Sequence, residues 1–216
     1  MNIQILISKN SWANNYKTIL KNKLGKYSRN LLILNNHKKL KSKYDINIIF
    51  SYFKIIKKKY LNKSKYNLVT HGSDLPKGKG MSPLTWEILK GRNIMTFSLI
   101  EANVKMDAGE IYYKKKIKFD KGLIFDEIKQ LQFEKSLELL IKFIKFYKKN
   151  KKAPISKKQV GKSTYFRIRK PVDSKININK SLKSQFNLMR TSDDKNYPSY
   201  FCFNKKKYLI KLIKSK

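Results

Sequence analysis

Asn67-Leu-Val-Thr-His71-Gly-Ser-Asp-Leu-Pro-Lys-Gly-Lys-Gly80 joins a short apolar run to a loop of Gly, Ser and Pro, with a histidine at the junction. The run has the length and composition of a buried strand. In α/β proteins the loops that leave strand ends converge on one crevice, which is where reactive groups are exposed. His71 is one of only two histidines in the chain. Histidine changes protonation near neutral pH and is oriented and tuned by a neighbouring carboxylate. A candidate partner stands in Asp107-Ala-Gly109, between two extended segments. Asp107 reads either as a turn aspartate helped by its glycine or as a carboxylate aimed back at His71, and spacing does not decide between them.

The pattern around this stretch alternates. Ile3–Ile7 reads as a buried strand, followed by a helix from Ser11, as its cap, to Lys23. Leu31–Leu34 and Ile46–Phe50 are further strands, and a helix is expected over Phe53–Tyr60. After the loop, Ser82-Pro83 opens a helix through Lys90, with Pro at the first position and Gly91 as the stop. Such alternation predicts βαβ units, an α/β fold and a mostly parallel sheet. Asn93–Ala102 and Glu110–Phe119 then read as extended segments. A long helix follows over Phe125–Lys149, its apolar face made by Ile128, Leu131, Leu137, Leu140, Ile141 and Ile144. The polar stretch Lys148–Lys158 contains Pro154 and reads as a linker. Beyond it, a helix near Ser181–Met189 and a hairpin turning at Asn204-Lys205 make a small α+β appendage. The expected division is residues 1–150 for the main domain and 159–216 for the appendage.

Composition removes several function classes. The single cysteine, Cys202, excludes an intramolecular disulfide framework, and with two histidines it argues against a metal site. Its alternating surroundings, Ser-Tyr-Phe-Cys-Phe, predict a buried thiol. His37, in a polar run, is expected to be solvated. Trp12, Tyr52 and Trp86 read as packing residues, and Tyr52 comes near His71 if their strands are neighbours. No apolar run approaches the ~20 residues that cross a bilayer, and Met1–Ser8 lacks a charged n-region, so a cytoplasmic location is expected. The glycines at 72, 78 and 80 do not form a phosphate loop, because Gly80 follows Lys79 where Ser or Thr would be needed. They fit a loop shaped for close approach of a ligand or a tight turn. The net charge of +37 suggests a polyanion, but only five basic residues are Arg (29, 92, 167, 169 and 190). Lys spread over the whole surface reads as compositional drift rather than as Arg-centred RNA recognition.

Val69-Thr-His-Gly-Ser-Asp-Leu-Pro-Lys-Gly-Lys-Gly80, with Ser82-Pro-Leu-Thr-Trp86, Gly91 and Thr96–Ile111 around Asp107-Ala-Gly109, resembles the folate-dependent formyltransferase family over roughly residues 1–150. That family includes methionyl-tRNA formyltransferases and sugar N-formyltransferases. The resemblance implies a Rossmann-like domain that transfers a formyl group from 10-formyltetrahydrofolate to a primary amine. His71 would stabilise the tetrahedral intermediate and move a proton, with Asp107 ordering His71 and a water. Ser51, Tyr52, Ser73, Asp74, Leu75, Pro76, Asn103, Val104 and Lys105 would border the cofactor, and Lys77, Gly78 and Gly80 the substrate.

One position departs from the pattern. The family's asparagine two before the histidine is Val69 here, and valine cannot donate a hydrogen bond to an oxyanion. Asn67 shares the face of Val69 by strand alternation and stands as a third catalytic candidate, although it lies roughly 6–7 Å further along the strand. Ser73 or a backbone N–H are other donors for that role. The resemblance implies an amino sugar on a nucleotide as the leading acceptor, since the chain is shorter than methionyl-tRNA formyltransferases with their C-terminal barrel. A formyltransferase-like binding protein without turnover is the alternative favoured by Val69. Formylation of an aminoacyl-tRNA ranks third, on charge alone.

Overall fold

The computed structural model describes residues 1–215. In chain order the elements are β1 (Asn2–Leu6), α1 (Lys17–Gly25), β2 (Asn30–Leu34), β3 (Tyr44–Ile49), α2 (Lys58–Leu61), β4 (Ser64–His71), β5 (Lys79–Gly80) and α3 (Pro83–Leu89). There follow β6 (Ile94–Glu101), β7 (Ile111–Lys118), α4 (Phe125–Asn150), β8 (Tyr165–Phe166), α5 (Leu182–Arg190), β9 (Ser199–Phe203) and β10 (Lys206–Ile210). The main sheet has the order β2-β1-β3-β4-β6-β7. Its first four strands are parallel, and β6 and β7 continue it antiparallel. This is the expected α/β architecture with a mostly parallel sheet.

Period-2 alternation sends successive strand residues to opposite faces. Ile3, Ile5, Ile46, Ile48 and Leu68 meet Leu20 and Leu24 of α1, Leu84 and Ile88 of α3, and Phe133, Leu140 and Ile144 of α4 in one buried cluster. The other face is covered more thinly. Leu6, Ile49, Ile56 and Leu61 form a small apolar cluster there, joined by half-buried Val69 and Ala102. Beside it runs a row of polar side chains. Gln4 and Asn47 are in register, as are Asn47 and Asn67, and Glu101 closes the row by accepting the Asn67 N–H at 2.7 Å.

Caps behave as their residue types require. Ser11 accepts from the Ala13 N–H and starts a 3-10 turn, Trp12–Tyr16, ahead of α1. Pro83 opens α3, and Gly91 ends it at φ +79°, the left-handed conformation that favours glycine.

Three expectations are corrected. The helix over Phe53–Tyr60 is confined to Lys58–Leu61. Residues 51–57 instead cross the strand ends, with Ser51 at φ +51° and the Phe53 N–H bonded to Ser8 Oγ. Ile56 alone is drawn into the small cluster while Phe53 and Ile55 stay exposed. Cys202 is exposed, not buried. It lies opposite Lys207 in the two-stranded β9–β10 ribbon, whose thin sheet covers only part of its alternating side chains. His37 is not simply solvated: its Nδ1 is 2.8 Å from Tyr52 Oη, and its ring stands edge-on to Tyr60. Burial, followed by the charges of Lys54 and Lys38, lowers its pKa.

Residues 151–170 form a strap over the main domain. Lys157 makes a two-bond bridge with Ile111, and β8 pairs in parallel with β5. Arg190 of α5, 2% exposed, donates to the Leu123 carbonyl at 3.2 Å and so ties the C-terminal residues to the start of α4.

Candidate active site

His71 is the last residue of β4, and its imidazole is nearly buried. The Nε2 atom is 2.8 Å from the Gly78 carbonyl. A carbonyl only accepts, so this contact assigns the proton to Nε2 and leaves Nδ1 facing Asp107 Oδ1 at 3.6 Å. That gap is too long for a direct hydrogen bond. A proton arriving at Nδ1 would make both ring nitrogens donors, one toward Gly78 and one toward the carboxylate. The pair is therefore arranged to receive a proton and to hold the resulting charge.

The glycine loop fixes this geometry. The Gly78 N–H donates to Thr164 Oγ1 at 2.8 Å, and the Gly80 N–H donates to Asp107 Oδ2 at 2.8 Å. Gly80 has φ +99°, and a Cβ there would lie 2.2 Å from the Phe166 carbonyl oxygen. Only glycine permits that close passage of the strap. Asp107 itself is at φ +49°, a conformation that aspartate tolerates better than most residues. A Cβ on Gly109 would lie 1.6 Å from the Glu101 carbonyl oxygen. Gln159 donates to the carbonyls of Asp107 and Gly109 at 2.7 and 2.8 Å. Both loops of the His–Asp pair are thus held by the strap.

The pair opens on a cavity of about 740 Å³, within the size range of small-molecule and cofactor sites. One side is apolar, built from Ile49, Ile56, Val69, Ile100 and Ala102 at the ends of β3, β4 and β6. The polar lining includes Lys129 and Gln132 of α4 together with Arg169 and Asp193. Burial pushes the Lys129 amine down to about 8, with Asp193 opposing and Arg169 adding to the shift.

Of the residues expected to border the site, Ser51, Tyr52, Asn103, Val104 and Gly80 line the cavity beside His71 and Asp107. The structure does not bring the others to its wall. Asp74 pairs with Lys114 at 2.6 Å on the surface. Leu75 is buried, Lys77 and Lys105 are exposed, and Pro76 accepts from the Thr164 N–H. Ser73 is buried with its Oγ unpartnered. Gly78 serves as the carbonyl that holds His71 rather than as a cavity wall. Asn67 is placed in the polar row: its amide donates to the Leu61 carbonyl at 3.1 Å and accepts from Asn47 at 3.0 Å. Sequence reasoning missed Thr164, Gln159 and Lys129, which sit in a polar strap and on a helix and carry no local signal. It also missed Glu101, whose carboxyl burial pushes up to about 7 even though the Asn67 N–H and Tyr112 hydroxyl favour its charged form.

Comparison with known proteins gives the chain a family. The family model described as Formyl transferase matches residues 5–144. A methionyl-tRNA formyltransferase of Thermodesulfovibrio yellowstonii is 31% identical over 180 residues, covering 82% of this chain and 57% of the relative. The chain spans about half the length of the curated relatives it matches. Among solved structures, a methionyl-tRNA formyltransferase from Clostridium thermocellum superposes with a TM-score of 0.81 at 21% identity, covering 100% of this chain and 94% of that one. A sugar N-formyltransferase from Shewanella has a TM-score of 0.67 at 14% identity, covering 98% of this chain and 97% of that one. The fold, the His71 loop and the matched length together place this chain in the formyl transferase family.

Proposed function

We propose that this chain transfers a formyl group from 10-formyltetrahydrofolate to a primary amine carried on a nucleotide. The observation that carries the reading is the His71–Asp107 pair at the mouth of a two-sided cavity, with an apolar side suited to a flat heterocycle and a polar side suited to an acceptor. Attack of the amine on the formyl carbon develops an oxyanion and a positively charged nitrogen. The nitrogen must then lose a proton, and His71 Nδ1 is free to take one while Asp107 stabilises the charged ring. The positive charge of the imidazolium steadies the oxyanion nearby, and its Nδ1 proton passes to N10 of tetrahydrofolate as the formyl carbon–N10 bond breaks and the oxyanion collapses to the amide carbonyl.

Two acceptors fit this chemistry, and each has support among the relatives or neighbours. The amine of an aminoacyl-tRNA is supported by the methionyl-tRNA formyltransferases among the relatives; the net charge of +37 is diffuse and Lys-based, and would aid approach only non-specifically. Such a charge favours approach of a polyanion. An amino sugar on a nucleotide is supported by the sugar N-formyltransferase whose length the chain matches almost fully. Binding without turnover is favoured by one observation, the apolar Val69 on the cavity wall.

The test is incubation with 10-formyltetrahydrofolate and either methionyl-tRNA or a panel of nucleotide amino sugars, with His71→Asn alongside. Formylated product from the wild type alone supports the proposal. Folate binding with no product on any amine would leave the binding-protein reading standing in its place.

A further inference from the structure

Two cations that line the cavity make no ion pair among the described residues, although the charges of Asp193 and Asp173 act on them from nearby. Lys129, on the second turn of α4, places its Nζ 5.1 Å from the Trp12 ring and 5.4 Å from the Phe125 ring. Its one hydrogen bond is to Gln132 Oε1 at 3.1 Å. Arg169 is 7% exposed. Its Nη2 reaches only neutral acceptors, the Asp173 carbonyl at 3.3 Å and Ser174 Oγ at 3.2 Å, and its Nε has no partner. Both side chains line the cavity, and neither makes an ion pair among the described residues. The acids nearby are already engaged. Asp173 is held by both arms of Arg167. Asp193 accepts from the Lys195 and Asn196 N–H groups and from Asn196 Nδ2 at 2.8 Å.

Two unpaired cations in a half-closed site repel each other and are costly to keep out of water. The fall of the Lys129 amine toward about 8 records that cost. A ligand carrying two or more negative oxygens would offset it. A guanidinium fork beside an ammonium matches a phosphate better than a planar carboxylate, which Arg alone would take in a bidentate grip.

We propose that Lys129 and Arg169 form a subsite for a phosphate group of the acceptor within the cavity that His71 and Asp107 line. The proposal rests on the reading of the acceptor as a nucleotide-borne amine. An aminoacyl-tRNA and a nucleotide sugar both carry a phosphate near the amine-bearing group, so the subsite would serve either.

Calorimetric titration with inorganic pyrophosphate at physiological salt tests this. The proteins are wild type, Lys129→Gln, Lys129→Arg, and Lys145→Gln as an exposed α4 control for the diffuse surface charge. Circular dichroism confirms the fold of each. Wild type, Lys129→Arg and Lys145→Gln should bind alike, and Lys129→Gln should bind about tenfold or more weakly, the scale of one charge-assisted hydrogen bond. AMP and UDP in place of pyrophosphate report which nucleotide the subsite prefers. No pyrophosphate binding to wild type, or equal binding to Lys129→Gln, would overturn the proposal. Displacement of pyrophosphate by triglutamyl but not monoglutamyl tetrahydrofolate would also overturn it, by assigning the cations to the cofactor's tail. The readout needs no turnover, so failure of formyl transfer and failure of the subsite are seen separately.

Discussion

Val69→Asn introduces a hydrogen-bond donor two residues before His71, where the resemblance to the formyltransferases implies asparagine, and its expected effect follows from the strand geometry. Val69 pairs with Ile49 and Ile100 across β4 and lines the cavity. It stands two residues before His71, so both side chains share a face, with their Cα atoms roughly 6.6 Å apart. An asparagine amide at 69 would therefore enter the cavity beside the imidazole. A single oxyanion donor contributes about 2.7–4 kcal/mol to the transition state, on the order of 10²–10³ in rate. Val69 is half-buried against Leu6, Ile49, Ile56 and Leu61, so its loss costs about 1 kcal/mol of apolar burial, roughly 2–4 °C in Tm for a chain of this size. The assay is steady-state release of tetrahydrofolate from 10-formyltetrahydrofolate with the acceptor present. kcat should rise about 10²-fold with both KM values little changed, because the new bond forms in the transition state. Val69→Leu, which adds no donor, should show no gain. A folded, folate-binding Val69→Asn protein no faster than wild type would refute the reasoning and show that the oxyanion is stabilised without position 69.

Three further outcomes follow from the loops. Gly109→Ala should lower stability by about 2 kcal/mol or more, since its Cβ would fall 1.6 Å from the Glu101 carbonyl. Thermal unfolding checks this, and an unchanged Tm would contradict the packing. Thr164→Val leaves the buried Gly78 N–H without its 2.8 Å partner, at a cost of about 1–3 kcal/mol. Because the Gly78 carbonyl holds His71, kcat should fall while folate affinity stays, and a fall in folate affinity alone would count against it. Glu101 has a folded pKa near 7, raised from 4.5 by burial. The folded chain then holds an extra proton between those values, and stability decreases as pH rises across that window. Glu101→Gln should flatten this slope in denaturant titrations at pH 5 and pH 8; a slope equal to wild type would sink the assignment.

The legible parts of this chain are those written locally. The alternation of Ile3, Ile5, Ile46 and Ile48 gives the buried face of a parallel sheet, and Pro83 and Gly91 bracket α3 because each fits a defined helix position. His71 and Asp107 were recognisable as residue types at strand ends, and the structure brings them to 3.6 Å. Errors arose where distant chain decides. Gly78 and Gly80 were expected to meet substrate. Gly80 does line the cavity, but the backbone groups of both also hold His71 and Asp107, under Thr164 and Phe166 that lie more than 80 residues onward. Asn67 is on the expected face, but Asn47 and Leu61 had already claimed its amide. Alternation in Ser199–Phe203 could not reveal that the ribbon leaves Cys202 open. Lys129 and Arg169, on a helix and in the strap, have no motif at all; only the fold puts them in one cavity.

The most direct test of the central claim is the rate of formyl transfer from 10-formyltetrahydrofolate to methionyl-tRNA by wild type and by His71→Asn, with folate binding measured on both. Asparagine keeps a polar side chain at the strand end but cannot take up a proton. Wild type should form product, and His71→Asn should lose on the order of 10²–10⁴ of the rate, the scale of a general acid–base, while still binding folate. Equal rates for the two proteins would show that the His71–Asp107 pair does not carry the chemistry.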